Sequence, residues 1–165
     1  EKIGDHTESF QVKFNSNIIS FSDILNIYWE CYNPLQGPRT TQYKSILFYH
    51  DNFQKLEIEK FISSKEESET LQVSPEIREY QHFYQAESYH QKYYIRQFSH
   101  LMGFLKKIYT DDFQFITSTL AARLNGYIGG NCTIVELESD IIKCGLQESE
   151  VNNLMRIINA AGISV

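Results

Sequence analysis

Apolar and polar residues alternate from Ser9 to Phe14, the period of two expected of a half-buried strand. Ser22 then offers an N-cap, and Ile24, Leu25, Tyr28 and Trp29 recur at helical spacing, which predicts a short helix to about Tyr32. Asn33-Pro34-Leu35-Gln36-Gly37-Pro38 is turn chemistry. The apolar, aromatic and branched run Ser45-Ile46-Leu47-Phe48-Tyr49 reads as a central strand. Asp51 caps a helix in which Phe53, Leu56, Ile58 and Ile62 pack while Lys55, Glu59 and Lys60 face water, and its end dissolves into Ser63 to Ser68. Leu71-Gln72-Val73 and Glu79 to Tyr84 predict strands on either side of Pro75. Glu87 to about Leu105 reads as one long aromatic helix with Gly103 as its weak point.

From Thr110 the pattern is helical only. Asp112 caps a helix carrying Phe113, Ile116, Leu120 and Leu124 and ended by Asn125-Gly126. Thr133 and Glu136 have the spacing of a capping box ahead of Val135, Leu137, Ile141 and Ile142, with Gly145 at the end. Val151, Leu154, Met155 and Ile158 stripe a last helix closed by Gly162. The whole predicts an α+β fold: a mixed sheet with packed helices over residues 1–109, then a helical C-terminal extension over 110–165, with the boundary near Tyr109 to Asp111.

Composition changes this picture little. The 165 residues, 42% hydrophobic and 22% charged, suit one or two globular domains. A formal charge of -6 argues against general nucleic-acid binding, and the local basic group Lys92, Arg96, Lys106 and Lys107 reads as a solvated helix face. No apolar run is long enough for a membrane span and no signal-peptide pattern opens the chain. Cys31, Cys132 and Cys144, odd in number and widely spaced, fit neither a disulfide framework nor a zinc motif. The histidines and acids, including His6, His82, His90, Glu8 and Glu87, match no metal-ligand spacing, so no metal is expected. A reducing, cytoplasmic location is the default, with a mitochondrial one open.

Four segments carry more. Gly4-Asp5-His6-Thr7-Glu8, Tyr28-Trp29-Glu30-Cys31-Tyr32-Asn33-Pro34, Thr40-Thr41-Gln42-Tyr43-Lys44-Ser45 and Ala86-Glu87-Ser88-Tyr89-His90-Gln91-Lys92-Tyr93-Tyr94 stand in the order of motifs known from one enzyme family. In this the chain resembles the type A methionine sulfoxide reductases over roughly its first hundred residues. The resemblance implies a ferredoxin-like core and an oxidoreductase that repairs oxidised methionine, free or in peptides, by thiol chemistry. It implies no cofactor, with thioredoxin as the reductant.

Two departures stand beside the matches. The family's nucleophilic cysteine lies in a G-C-F-W-G motif upstream of G-D-H-T-E, whereas this chain opens on Glu1, three residues before Gly4. We therefore expect a fragment or processed product that lacks the nucleophile. The family's loop before T-Q-Y carries an aspartate where Gln36-Gly37-Pro38-Arg39 is shortened and places Pro38.

Reducing a sulfoxide takes a soft nucleophile at sulfur and a proton for the departing oxygen. The resemblance gives the proton to Glu8, which an apolar pocket would keep protonated near neutral pH. It gives Tyr43 the role of hydrogen-bond donor to the sulfoxide oxygen, although an aromatic at a strand edge explains Tyr43 as well. His90 and Tyr93, three apart, would line the substrate pocket, or His90 is structural. Trp29 and Cys31 read as packing residues. Cys132, after the mobile setting Gly129-Gly130-Asn131, and Cys144 are the possible resolving thiols, or idle ones. The rival to a reductase is a reductase-like binding module, without catalysis, for oxidised methionine or a protein partner. On either reading the segment after Asp111 is expected to be dispensable for the chemistry unless one of its cysteines resolves the oxidised intermediate.

Overall fold

The computed structural model describes residues 7–31, 41–68 and 75–163. They form an α+β structure that divides into two compact units between Tyr84 and Gln85.

In the first unit, helix α1 (Phe21–Cys31) is capped by Ser20, two residues before the Ser22 cap the pattern suggests. The Ser20 hydroxyl accepts from the Asp23 N–H at 3.1 Å, and the Asp23 carboxylate accepts from the Ser20 N–H at 3.0 Å. This reciprocal pair satisfies two backbone donors that Ser22 would leave open. Strand β1 (Ile46–Tyr49), helix α2 (Asn52–Ser68) and strand β2 (Glu76–Glu79) follow as a β-α-β unit, with β1 parallel to β2 and Leu47 opposite Ile77. Asp51 caps α2 as expected, its carboxylate accepting from the Gln54 N–H at 2.8 Å.

Helix α2 continues to Ser68 rather than dissolving at Ser63. Lys and Glu are good helix formers, and the Lys60–Glu57 and Lys55–Glu59 pairs reinforce the exposed face. The core of this unit is Leu25 with Ile58 and Ile62, flanked by Phe21, Trp29, Leu47, Phe61 and Ile77. Phe53 and Leu56 are exposed, because the buried stripe of α2 runs through Ile58 and Ile62 instead. Trp29 packs as a core residue, edge-on to Phe61 at 5.8 Å.

Two predicted strands differ. Ser9 to Phe14 forms none, since alternation supplies no ladder partner, and Phe10 stands 81% exposed. The strand after Pro75 is Glu76–Glu79, so the predicted Glu79 to Tyr84 strand has only its first residue in the ladder, followed by one bond from the Tyr80 N–H to the Tyr49 carbonyl. The predicted turn over Asn33 to Pro38 and strand over Leu71 to Val73 lie outside the described residues.

In the second unit the expected long helix is broken twice. A 3-10 turn (Ser88–His90) leads through Lys92, in the left-handed region at φ 53°, into the single turn α3 (Tyr93–Arg96). Phe98 is extended and α4 (Ser99–Ile108) follows, with Gly103 unremarkable inside it. In one straight helix Ile95 would lie about 120° around the axis from Leu101. The breaks let Ile95, Leu101, Phe104 and Leu105 share one core.

Helix α5 (Asp112–Thr117) is capped by Asp111, not Asp112, and Ser118 opens α6 (Thr119–Ile128) by accepting from the Ala121 N–H, so the predicted single helix is two. Phe115 takes the buried place expected of Phe113, and α6 runs past Asn125-Gly126 to Ile128. Helix α7 (Ile134–Ile142) has the predicted capping box, and α8 (Glu148–Ala160) buries Val151, Leu154 and Ile158. On α7 Leu137 and Ile141 are buried, whereas Val135 and Ile142 are exposed. Thr133→Ala removes the acceptor of the Glu136 N–H and should lower stability by about 1 kcal/mol, read as a fall in the urea midpoint at constant slope.

The pattern placed a boundary near Tyr109. Packing places the break between compact units at Tyr84–Gln85, because α4 shares its core with Leu120, Leu124, Leu137, Ile141 and Leu154.

Candidate functional site

Residues 7–8 and 41–43 meet through two hydrogen bonds. The Glu8 N–H donates to the Gln42 carbonyl at 2.9 Å, and the Gln42 side-chain amide donates to the Glu8 carboxylate at 2.6 Å. Gln42 is the middle residue of a 3-10 turn (Thr41–Tyr43) that leads into β1, so Glu8 is bonded to the residue that precedes Tyr43. Both Glu8 and Tyr43 are exposed, Tyr43 by 62%. The orientation of Glu8 is therefore set by a hydrogen-bonding partner, not by an apolar enclosure.

Behind this turn the Tyr28 hydroxyl and the Ser45 hydroxyl share a hydrogen bond of 2.6 Å, which ties α1 to the entrance of β1. Lys44 next to it pairs with Glu76 at 3.0 Å, and its ammonium is the main cause of the lowered Glu76 carboxyl. The strand that follows Tyr43 is thus held from both sides.

In the second unit His90 ends the 3-10 turn and Tyr93 begins α3, with Gln91 extended and Lys92 left-handed between them. They do not share one helix face. His90 is exposed, its ring tilted against that of Tyr89 at 4.3 Å and its Nε2 4.0 Å from the Glu87 carboxylate. Tyr93 is exposed and meets Tyr94 edge-on at 5.8 Å. Burial lowers the Lys92 ammonium from its ordinary value.

The thiols differ in setting. Cys31 is exposed at the end of α1. Cys132 and Cys144 are half-buried against the helical core, and burial pushes both thiols up from their ordinary value. The Cys144 thiol donates to the Asp140 carbonyl at 3.3 Å. Gly129-Gly130-Asn131 ahead of Cys132 is an ordered turn, closed by the Gly130 N–H on the Tyr127 carbonyl and the Asn131 N–H on the Gly126 carbonyl. Among the described residues no group of three His, Cys, Asp or Glu side chains gathers to hold a metal, and no helix is long and apolar enough to cross a membrane.

Comparison with known proteins bears directly on these segments. The family model described as peptide methionine sulfoxide reductase matches residues 1–120, close to three quarters of the chain and all four motifs. The chain belongs to the peptide methionine sulfoxide reductase family.

A peptide methionine sulfoxide reductase of Drosophila melanogaster is 30% identical over 151 residues, covering 90% of this chain and 60% of that protein. One of Saccharolobus solfataricus is 36% identical over 94 residues, covering 54% of this chain and 53% of that protein. Peptide methionine sulfoxide reductase A5 of Arabidopsis thaliana is 29% identical over 137 residues, covering 79% and 53%. The chain thus spans between half and two thirds of the length of these relatives.

Membership gives the Glu8–Gln42 contact its meaning, since it joins the G-D-H-T-E glutamate to the glutamine of T-Q-Y. Sequence reasoning named Glu8 and Tyr43 but not Gln42, the residue that bonds Glu8 and precedes Tyr43 in the chain. The signal was present in the T-Q-Y motif itself, whose middle residue carries the only amide in the triplet.

Proposed function

We propose that this chain is the part of a peptide-methionine (S)-S-oxide reductase that supplies the proton donor and the substrate-facing polar groups. The observation that carries the reading is the Gln42 amide on the Glu8 carboxylate, which ties the expected acid to the residue next to the expected tyrosine donor. A thiolate attacks the sulfoxide sulfur while Glu8 delivers a proton to the oxygen, and the products are the thioether and a sulfenic acid on the attacking cysteine. The Tyr43 phenol donates to the oxygen as negative charge builds there. His90 and Tyr93 contribute to binding the substrate, methionine sulfoxide in peptides or free.

A second thiol then displaces water from the sulfenic acid to form a disulfide, which thioredoxin reduces, with no other cofactor. Cys132 and Cys144 are this chain's candidates for that step. Burial raises both thiols, which lowers the thiolate fraction available for attack.

None of Cys31, Cys132 and Cys144 stands in the family's nucleophile motif. The 165-residue chain by itself should give no methionine from methionine sulfoxide above background with dithiothreitol or thioredoxin. Adding a G-C-F-W-G segment ahead of Gly4 should produce turnover. Turnover by the chain alone that is abolished by Cys132→Ser or Cys144→Ser would overturn the assignment. Binding of a methionine sulfoxide peptide without turnover, once the segment is present, would instead establish a binding module.

A further inference from the structure

Helix α3 has an exposed beginning that its own sequence does not cap. Lys92 precedes it in the left-handed region and provides no side-chain cap, which leaves the first backbone N–H groups of the turn without an acceptor from their own segment. The acceptor comes from 30 residues away. Asn125 Oδ1, on α6, accepts from the Tyr94 N–H at 3.1 Å and the Ile95 N–H at 3.4 Å.

The same helix shapes the surface that Tyr94 rests on. A Cβ at Gly129 would come within 3.0 Å of the Tyr94 ring and 3.2 Å of the Asn125 carbonyl, so a side chain there would push on both by a few tenths of an ångström. From the other side, Arg96 donates Nε to the Gln91 carbonyl at 2.7 Å and pairs with Asp112 at 2.8 Å, its guanidinium 4.9 Å from the Phe115 ring centre. Residues on α5 and α6 therefore hold the loop on which Tyr93 stands.

We infer that Asn125 is a positioning residue for the substrate-binding segment, fixing the backbone that presents Tyr93, and that the helices after Asp111 are part of the reductase's binding machinery. The inference rests on the proposed function for the role of Tyr93. It reverses the expected dispensability of the C-terminal helices, and nothing in the A-E-S-Y-H-Q-K-Y motif discloses it. Asn125-Gly126 looked like a helix terminator, yet α6 runs through it and the asparagine serves another helix.

Amide exchange in the 165-residue chain tests the positioning. Asn125→Ala should speed exchange of the Tyr94 and Ile95 amides about tenfold while the Leu105 and Leu154 amides keep their rates. Asn125→Asp, which retains an oxygen acceptor, should keep the protection. Gly129→Ala, which crowds both the Tyr94 ring and the Asn125 carbonyl, should deprotect the same amides. In a protein that also carries the G-C-F-W-G segment, Asn125→Ala should raise KM for a methionine sulfoxide peptide about fivefold with kcat within about twofold, and Asn125→Asp should recover it.

Unchanged exchange at Tyr94 and Ile95 overturns the inference. So does equal loss of protection at Leu105 and Leu154 in both variants, which is the mark of a general stabiliser, and so does deprotection with KM unmoved. A parent protein with no turnover at all overturns the proposed function instead, and the exchange pattern distinguishes the two failures.

Discussion

In a protein that carries the G-C-F-W-G segment ahead of Gly4, Glu8→Gln lowers methionine sulfoxide turnover about 100-fold or more, the range for loss of a general acid. The amide matches the carboxyl in size, so the fold is preserved, but it has no proton to surrender to the departing oxygen. Steady-state rates with dithiothreitol, measured beside the circular dichroism of both proteins, check the result. Activity within a few-fold of the parent would remove Glu8 from the chemistry. Gln42→Leu offers a graded companion: it keeps the acid but removes the amide that donates to it at 2.6 Å.

The second large effect concerns a chain ending at Tyr109. The sequence pattern suggests such a chain retains its chemistry, because the four motifs all end before Gln97. The structure predicts that residues 85–109 lose their fold. Ile95, Leu101, Phe104 and Leu105 are buried against side chains of α5 to α8. Burying a large apolar side chain contributes about 1.5–3 kcal/mol, so four of them amount to about 6–12 kcal/mol. That is comparable with the whole stability of an ordinary domain, about 5–15 kcal/mol. Joined to the nucleophile segment, this truncated chain should fail even a single turnover, and its amides from 85 to 109 should exchange at unprotected rates. One full turnover per nucleophile would show that the C-terminal helices serve only themselves.

What could be seen in advance follows the range of each interaction. Caps and short helical stripes were legible because they are local: Asp51, the Thr133–Glu136 box and the Val151, Leu154 and Ile158 face all stand as expected. Errors of one or two positions arose where neighbouring residues compete for one cap, as Ser20 with Ser22 and Asp111 with Asp112. The break at Lys92 was not legible, since no glycine or proline marks it and its support lies on another helix. Motif order alone singled out Glu8 and Tyr43. The Gln42 bond and the Asn125 cap span 34 and 31 residues, distances over which periodicity carries no information.

The cap from Asn125 also bears on how the protein is made. The ribosome delivers Lys92 to Arg96 well before Asn125, which lies 31 residues after Tyr94. At about 5–20 residues per second the interval is on the order of seconds, long beside the roughly microsecond relaxation of a helix. Through that interval the leading amides of the Tyr93 segment bond only to water, and the Tyr94 ring lacks the surface it later rests on. The Lys92 to Arg96 turn therefore takes its shape late, when α6 has emerged.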